Sequence, residues 1–298
     1  MLLVTFSAAA GRRRLGVRTD AGVIDVAALA ETRQAPVPAT LLDVVRSGPD
    51  AVHAIASLVQ GEPPARMTLP LTDVTIHAPL RPGKIVGVGL NYTEHVAESA
   101  RTLDTARELP QRPVLFSKPS TAVIGPDEPI LHNATLTEQL DWEVELAVVI
   151  GRTARRVSRA AALDHVFGYS IVNDISARDQ RRSGQWFFSK GQDSYAPLGP
   201  AVITADAVPD PQRLDLSLRV NGEVKQKSNT RYMLFDIRQL IADITSGMTL
   251  EPGDVIATGS PAGVGAGFTP QQFLRPGDVV EATVEGIGTL RNPVVDAQ

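Results

Sequence analysis

The sequence predicts an α+β fold built on one large curved sheet or roll, and three observations carry that expectation. Short β-rich runs punctuated by glycine and proline fill the chain from Arg81 onward, with 24 Gly and 22 Pro in 298 residues. Helical periodicity is confined to a few stretches, without the strict strand–helix alternation of a doubly wound sheet. The composition is that of an ordinary folded protein, 43% hydrophobic and 21% charged, with no low-complexity tract.

Leu2 to Phe6, Leu15 to Thr19 and Gly22 to Asp25 read as strands joined by glycine-containing turns. Thr40 to Val59 places Leu41, Leu42, Val45, Val52, Ile55, Leu58 and Val59 at helical spacing, interrupted at Gly48-Pro49. A turn at Gly61-Glu62-Pro63-Pro64 leads to a strand-like piece ending at Pro79. Residues 1–75 are expected as a small N-terminal α+β accessory domain, and 76–298 as the main domain. In the latter, Lys84 to Val88, Val114 to Ser117, Val144 to Ile150, Gly168 to Asp174, Ala201 to Thr204, Leu214 to Val220, Asp254 to Thr258 and Val279 to Val284 read as strands. Thr93 to Arg101, Ala160 to Asp164 and Phe235 to Ser246 read as helices. Two near-identical phrases, Leu250 to Asp254 and Leu274 to Asp278, are each followed by valine and are expected to turn into strands.

A net charge of -4 argues against a nucleic-acid partner, and the lone basic run Arg12 to Arg14 reads as a solvated turn. No apolar run reaches the length of a membrane span. Met1 to Ala10 lacks a basic leader and resembles a first strand, so the cytoplasm is the expected compartment. The chain has no cysteine, which removes disulfides, thiolate sites and cysteine nucleophiles together. Any metal chemistry must use carboxylate, histidine and water, the donors of a hard cation such as Mg²⁺ or Mn²⁺.

Glu143 and Glu145 lie two apart on a strand and project to the same face. Two adjacent carboxylates near a core repel unless a cation lies between them; the other reading is a solvent-facing edge strand. Asp174, at the exit of the next strand, is a third candidate ligand, or else the opening of a turn. His95 and Glu98 share a helix face at i, i+3, so that Glu98 can orient a basic imidazole; the other reading is an exposed helix pair with no role. Lys190 is a candidate for stabilising enolate or carboxylate charge, or else an ordinary surface lysine. The glycine-rich loop Thr258 to Gly265 could bring backbone amides close to a ligand, yet neither it nor Gly87-Val88-Gly89 completes a nucleotide fingerprint.

These fragments, in this order, resemble the fumarylacetoacetate hydrolase family from about Lys84 to Pro293. Five phrases carry the likeness: Gly89 to Glu98, Asp141 to Glu145, Asn173 to Asp179, Lys190 to Asp193 leading to Pro197 to Pro200, and Thr258 to Gly265. The resemblance implies a mixed β-roll catalytic domain, a homodimer, and Mg²⁺ or Mn²⁺ held by Glu143, Glu145 and Asp174. It implies that His95 and Glu98 close over the site and activate water, that Lys190 lies near the substrate, and that Tyr92, Arg181 and Ser260 face it. Two positions and one five-residue stretch depart from the usual pattern. Arg181 replaces a glutamine, Ser260 a threonine, and Gly191 to Tyr195 the common Ser-Phe-Asp-Thr-Phe.

The expected activity is hydrolysis of a carbon–carbon bond in an acylpyruvate-like 2,4-diketo acid. Decarboxylation of an oxaloacetate-type acid and isomerisation of a 2-hydroxy-dienedioate use the same metal-enolate machinery. A non-catalytic binding relative is the reading from another class.

Overall fold

The computed structural model describes residues 1–8, 11–61, 67–102 and 108–297, with the backbone alone at 97 and 99–102. The turn expected at 61–64 lies outside the described residues from Glu62 on. Strands β1 (Leu2–Ala8), β2 (Arg14–Thr19) and β3 (Gly22–Asp25) form an N-terminal meander. Asp25 ends β3 and caps α1 (Val26–Arg33), accepting the Ala28 N–H at 3.1 Å. Sequence reading missed this helix because Val26 to Ala30 is continuously apolar and shows no 3.6-residue period. Thr40 caps α2 (Leu41–Ser47), and α3 (Pro49–Val59) follows across Gly48, whose φ of 74° makes the break. Two short strands, β4 (Thr68–Leu69) and β5 (Val74–His77), complete this part.

The rest of the chain runs β6 (Ile85–Gly89), α4 (Thr93–Thr102), β7 (Val114–Lys118), β8 (Val123–Ile124), β9 (Ile130–His132), β10 (Leu140–Asp141) and β11 (Val144–Ile150). Then come β12 (Val166–Asn173), β13 (Ser176–Ala177), α5 (Phe187–Lys190), β14 (Ala196–Thr204), β15 (Asp215–Val220) and β16 (Glu223–Asn229). Last are α6 (Ile237–Gly247), β17 (Val255–Ala257), β18 (Val279–Val284) and β19 (Gly288–Asp296). The helix expected at Ala160 to Asp164 is only a 3₁₀ turn, Ala162–His165. The near-repeated phrases do turn into β17 and β18. In each, glycine takes positive φ (Gly253 95°, Gly277 98°) and the following aspartate accepts an amide three residues back at 2.7 Å.

A mixed 12-stranded sheet has the order β4-β3-β2-β1-β14-β12-β11-β17-β6-β7, with β5 added to β1 and β8 to β14. A five-stranded sheet, β16-β15-β18-β19-β9, packs against one face of it. That core holds Val144, Leu146 and Val148 from β11, Leu216 and Leu218 from β15, and Leu240 and Ile244 from α6. The opposite face of β11, with Ala147 and Val149, meets Leu29, Val44 and Ile55 of α1 to α3. Strands β11 and β14 are buried along their whole length and β12 from Phe167 on, which is why they read as largely apolar runs. Among the described residues no helix is long and apolar enough to cross a membrane.

Candidate active site

The site forms where β11 begins and β12 ends. These strands pair antiparallel with Val144 opposite Asn173, so Glu143 and Asp174, one step further, come together. The Asp174 N–H donates to the Glu143 carbonyl at 2.8 Å, and Asn173 Oδ1 accepts the Glu143 N–H at 3.0 Å. One carboxylate oxygen each from Glu143, Glu145 and Asp174 lie within 4.8 Å of one another, all three residues buried. Antiparallel pairing of these two consecutive strands thus makes the cluster that sequence spacing alone left open.

Buried cations surround it. Lys190, carried by α5, donates to Glu143 at 2.7 Å, to Ser176 Oγ at 2.8 Å and to Asp174 Oδ2 at 2.5 Å. Arg178 bridges Glu143 (2.7 Å) and Asp141 (2.8 Å). Lys118, at the end of β7, pairs with the other oxygen of Asp174 and donates to the Ile175 carbonyl at 3.1 Å. Among the described residues no cation is bonded to Glu145, which accepts only the Gly259 N–H, at 2.8 Å. Burial, then Asp174 and Glu143, push its carboxyl well above the ordinary range. For Glu143 burial acts in the same upward sense, but Arg178 and Lys190 outweigh it and hold the group well below that range. Burial lowers Lys118 to about 8 against the pull of Asp174. Burial also acts to lower Lys190, but Asp174 and Glu143 raise it above its usual value.

Three hard oxygen donors, one of them raised by burial and by the negative charge of the other two, fit a divalent cation such as Mg²⁺ or Mn²⁺. Glu143, Glu145 and Asp174 are the residues that could hold it.

Helix α4 brings His95 and Glu98 over the cluster. His95 Nδ1 is 3.2 Å from Glu98 Oε2, and Nε2 is 3.8 Å from Glu143 Oε1. Glu98 accepts the Gly263 N–H at 3.0 and 3.2 Å. An ionised carboxylate only accepts, so Glu98 selects the tautomer with Nδ1–H and leaves Nε2 as the basic atom. Asn91, fully buried just before α4, fixes the approach. It accepts the Phe235 N–H at 2.8 Å and donates to the carbonyls of Phe235 (3.1 Å) and Thr258 (2.7 Å).

The glycine-rich loop departs from expectation. Its amides serve the protein's own carboxylates: Gly259 meets Glu145, Gly263 meets Glu98, and Gly265 and Ala266 meet Asp141 at 2.6 and 3.0 Å. Ser260 Oγ accepts from Gln226 at 2.8 Å and lines the cleft. Arg181 borders the cleft beside Trp186. Tyr92 packs in the core between the sheets, 1% exposed, and its hydroxyl has no hydrogen-bond partner among the described residues. Asp141, Arg178, Lys118 and Gln226 were not singled out as site residues. Asp141 and Arg178 fall within two of the motif phrases, whereas Lys118 and Gln226 carry no local signal. The cleft is small, with about 30 Å³ free, room for about two waters.

Against known proteins, the fumarylacetoacetate (FAA) hydrolase C-terminal family model matches residues 84–295. Oxaloacetate tautomerase YisK of Bacillus subtilis is 45% identical over 227 residues, covering 75% of this chain and 74% of that protein. The mitochondrial oxaloacetate tautomerase FAHD2A of Bos taurus is 39% identical over 278 residues, 92% of this chain and 84% of that protein. The crystal structure of maleylpyruvate hydrolase from Sphingobium sp. SYK-6 in complex with manganese(II) ion and pyruvate superposes with a TM-score of 0.80. It is 33% identical, and all of both chains is covered.

Proposed function

The chain belongs to the fumarylacetoacetate hydrolase family, and from that premise we propose that it interconverts the enol and keto forms of a small 2-oxo diacid of the oxaloacetate class. The observation that carries this is a base, His95, held by Glu98 above the three carboxylates at a narrow cleft. Similarity to two oxaloacetate tautomerases supports it.

Glu143, Glu145 and Asp174 would hold Mg²⁺ or Mn²⁺. When bound, that ion supplies Lewis acidity for the negative charge that develops on a 2-oxo oxygen. His95 Nε2 takes a proton from C3 of the keto acid, and the C–H electron pair becomes the C2–C3 double bond of the enol. The imidazolium returns the proton to the 2-oxygen, so one base moves one proton and no atom is lost. Glu98, fixed by the Gly263 amide, keeps the ring oriented and stabilises its charged form. Lys190, raised above its usual pKa, stays an ammonium and adds positive charge beside the enolised group. Arg181 at the cleft border faces the second carboxylate of the diacid.

The test is the ultraviolet decay of oxaloacetate enol with Mn²⁺ and purified protein. A rate indistinguishable from the buffer-catalysed one would sink the proposal. Hydrolysis of an acylpyruvate, with His95 activating water, is the second reading, favoured by the likeness to maleylpyruvate hydrolase. Release of pyruvate plus a free acid, without acceleration of the enol decay, would establish it instead.

A further inference from the structure

A second space adjoins the first. It is an open groove of about 470 Å³, walled on one side by Val114, Leu115 and Phe116 of β7 and on the other by Trp186 and Phe187. Its lining is mixed, since Ser117, Arg181 and Gln185 join these side chains, and its exposed apolar part is Phe187 at 55% and Leu115 at 36%. β7 ends the large sheet, so the groove runs along an edge that no other described strand covers. Arg181 and Trp186 border both spaces, and together they form the partition between them.

The Trp186 ring is held from three sides. It lies on β6 at Gly89, where an added Cβ would meet ring atom Cζ3 at 2.1 Å. Phe116 meets it at a centroid distance of 5.6 Å, and Phe116 itself lies on Gly87, where a Cβ would meet the ring at 2.1 Å. The Arg181 guanidinium carbon sits 5.1 Å from the Trp186 centroid. Two glycines at alternate positions of one strand thus admit two aromatic rings side by side, and the outer ring closes the inner cleft.

We propose that Trp186 is the specificity-determining residue for substrate length. It closes the inner cleft on the side of the groove, and the groove along β7 is the subsite that an acyl chain on C4 and beyond enters when the ring is reduced. This rests on the 2-oxo acid reading of the site. An alkyl chain would lie along the stripe of Val114, Leu115, Phe116 and Phe187 in this groove, which starts at the residue that bounds the inner cleft.

The experiment is isothermal titration of the Mn²⁺-loaded protein with pyruvate and with 2-oxooctanoate. The wild type should bind pyruvate and discriminate against 2-oxooctanoate by about tenfold or more. Trp186→Ala should bind 2-oxooctanoate at least about tenfold more tightly than the wild type does, since each buried methylene contributes about fourfold in affinity. Trp186→Phe, the gentler change if the alanine variant does not fold, should shift the same way by less. Adding Leu115→Asp to Trp186→Ala should abolish the gain. Variants that bind pyruvate but gain nothing for the longer acid overturn the inference alone, as would a second copy of the chain covering the β7 edge. A wild-type protein that binds both acids equally overturns it too. Failure of the wild type to bind pyruvate overturns the 2-oxo acid reading and this inference together.

Discussion

Glu98 is a carboxylate whose position depends on a missing side chain. Its carboxylate accepts the Gly263 amide, and a Cβ built at Gly267 would meet Oε1 at 2.1 Å. The obstructing atom is the end of a flexible side chain, so Gly267→Ala displaces the glutamate and leaves the fold standing. Activity is expected to drop by about tenfold or more, with little change in melting temperature. Glu98→Gln, which keeps the shape and loses the charge, should act in the same direction. His95→Ala should cost about 10²- to 10⁴-fold in rate while Mn²⁺ affinity by titration stays within a few-fold. A parallel collapse of Mn²⁺ binding would mean that His95 acts on the carboxylate cluster rather than on the substrate. Much of this chemistry was legible in residue order, since His95 and Glu98 share a helix face and Glu143 and Glu145 alternate along the chain. Lys118 was not, because a lone lysine ending a strand resembles a surface residue until β12 brings Asp174 to it.

At the scale of elements, Asp141 joins the carboxylate strand to the glycine-rich loop. It accepts N–H groups from Trp142, Gly265 and Ala266 and pairs with Arg178, which also holds Glu143. Asp141→Asn takes one of two carboxylates from the buried Arg178 guanidinium, which keeps Glu143, and weakens the bonds from the Gly265 and Ala266 amides, a loss on the order of 1–3 kcal/mol. Urea unfolding should show that loss in the midpoint at unchanged slope. A midpoint within error of the wild type would show that the loop is held by other contacts. Strands buried on both faces and helices with a clear apolar stripe were readable beforehand. α1 escaped because it has no stripe, and β16 because its outer residues are polar and exposed. A signal for β16 did exist: Asn221-Gly222, both at positive φ (52° and 81°), is the hairpin turn that joins it to β15.

Over the whole molecule, the charge balance of the interior sets an expected response to pH and metal. The buried carboxylates of Asp141, Glu143, Glu145 and Asp174 face Lys118, Arg178 and Lys190, and among the described residues Glu145 is the one of the four with no cation bonded to it. Its folded pKa lies above its ordinary 4.5, so its contribution to stability is fully present below that value and is lost as pH rises through the raised one. Glu143 has the opposite sign: its depressed pKa contributes stability above 4.5 that is lost as pH falls through the depressed value. Lys118, lowered to about 8, begins to release its proton near there, so the window that isolates Glu145 lies below that pH. In chelator the melting temperature should fall between about pH 5 and about pH 7.5. Mn²⁺ binds the ionised carboxylates, so the gap between metal-loaded and metal-free melts should widen over the same range. At 100-fold excess over Kd the ion contributes about 2.7 kcal/mol, or about 5 °C in a chain of this size. Glu145→Gln removes the titrating group and should flatten the metal-free profile. A gap that stays constant with pH, or a Glu145→Gln profile as steep as the wild type, would place the uncompensated charge on another residue.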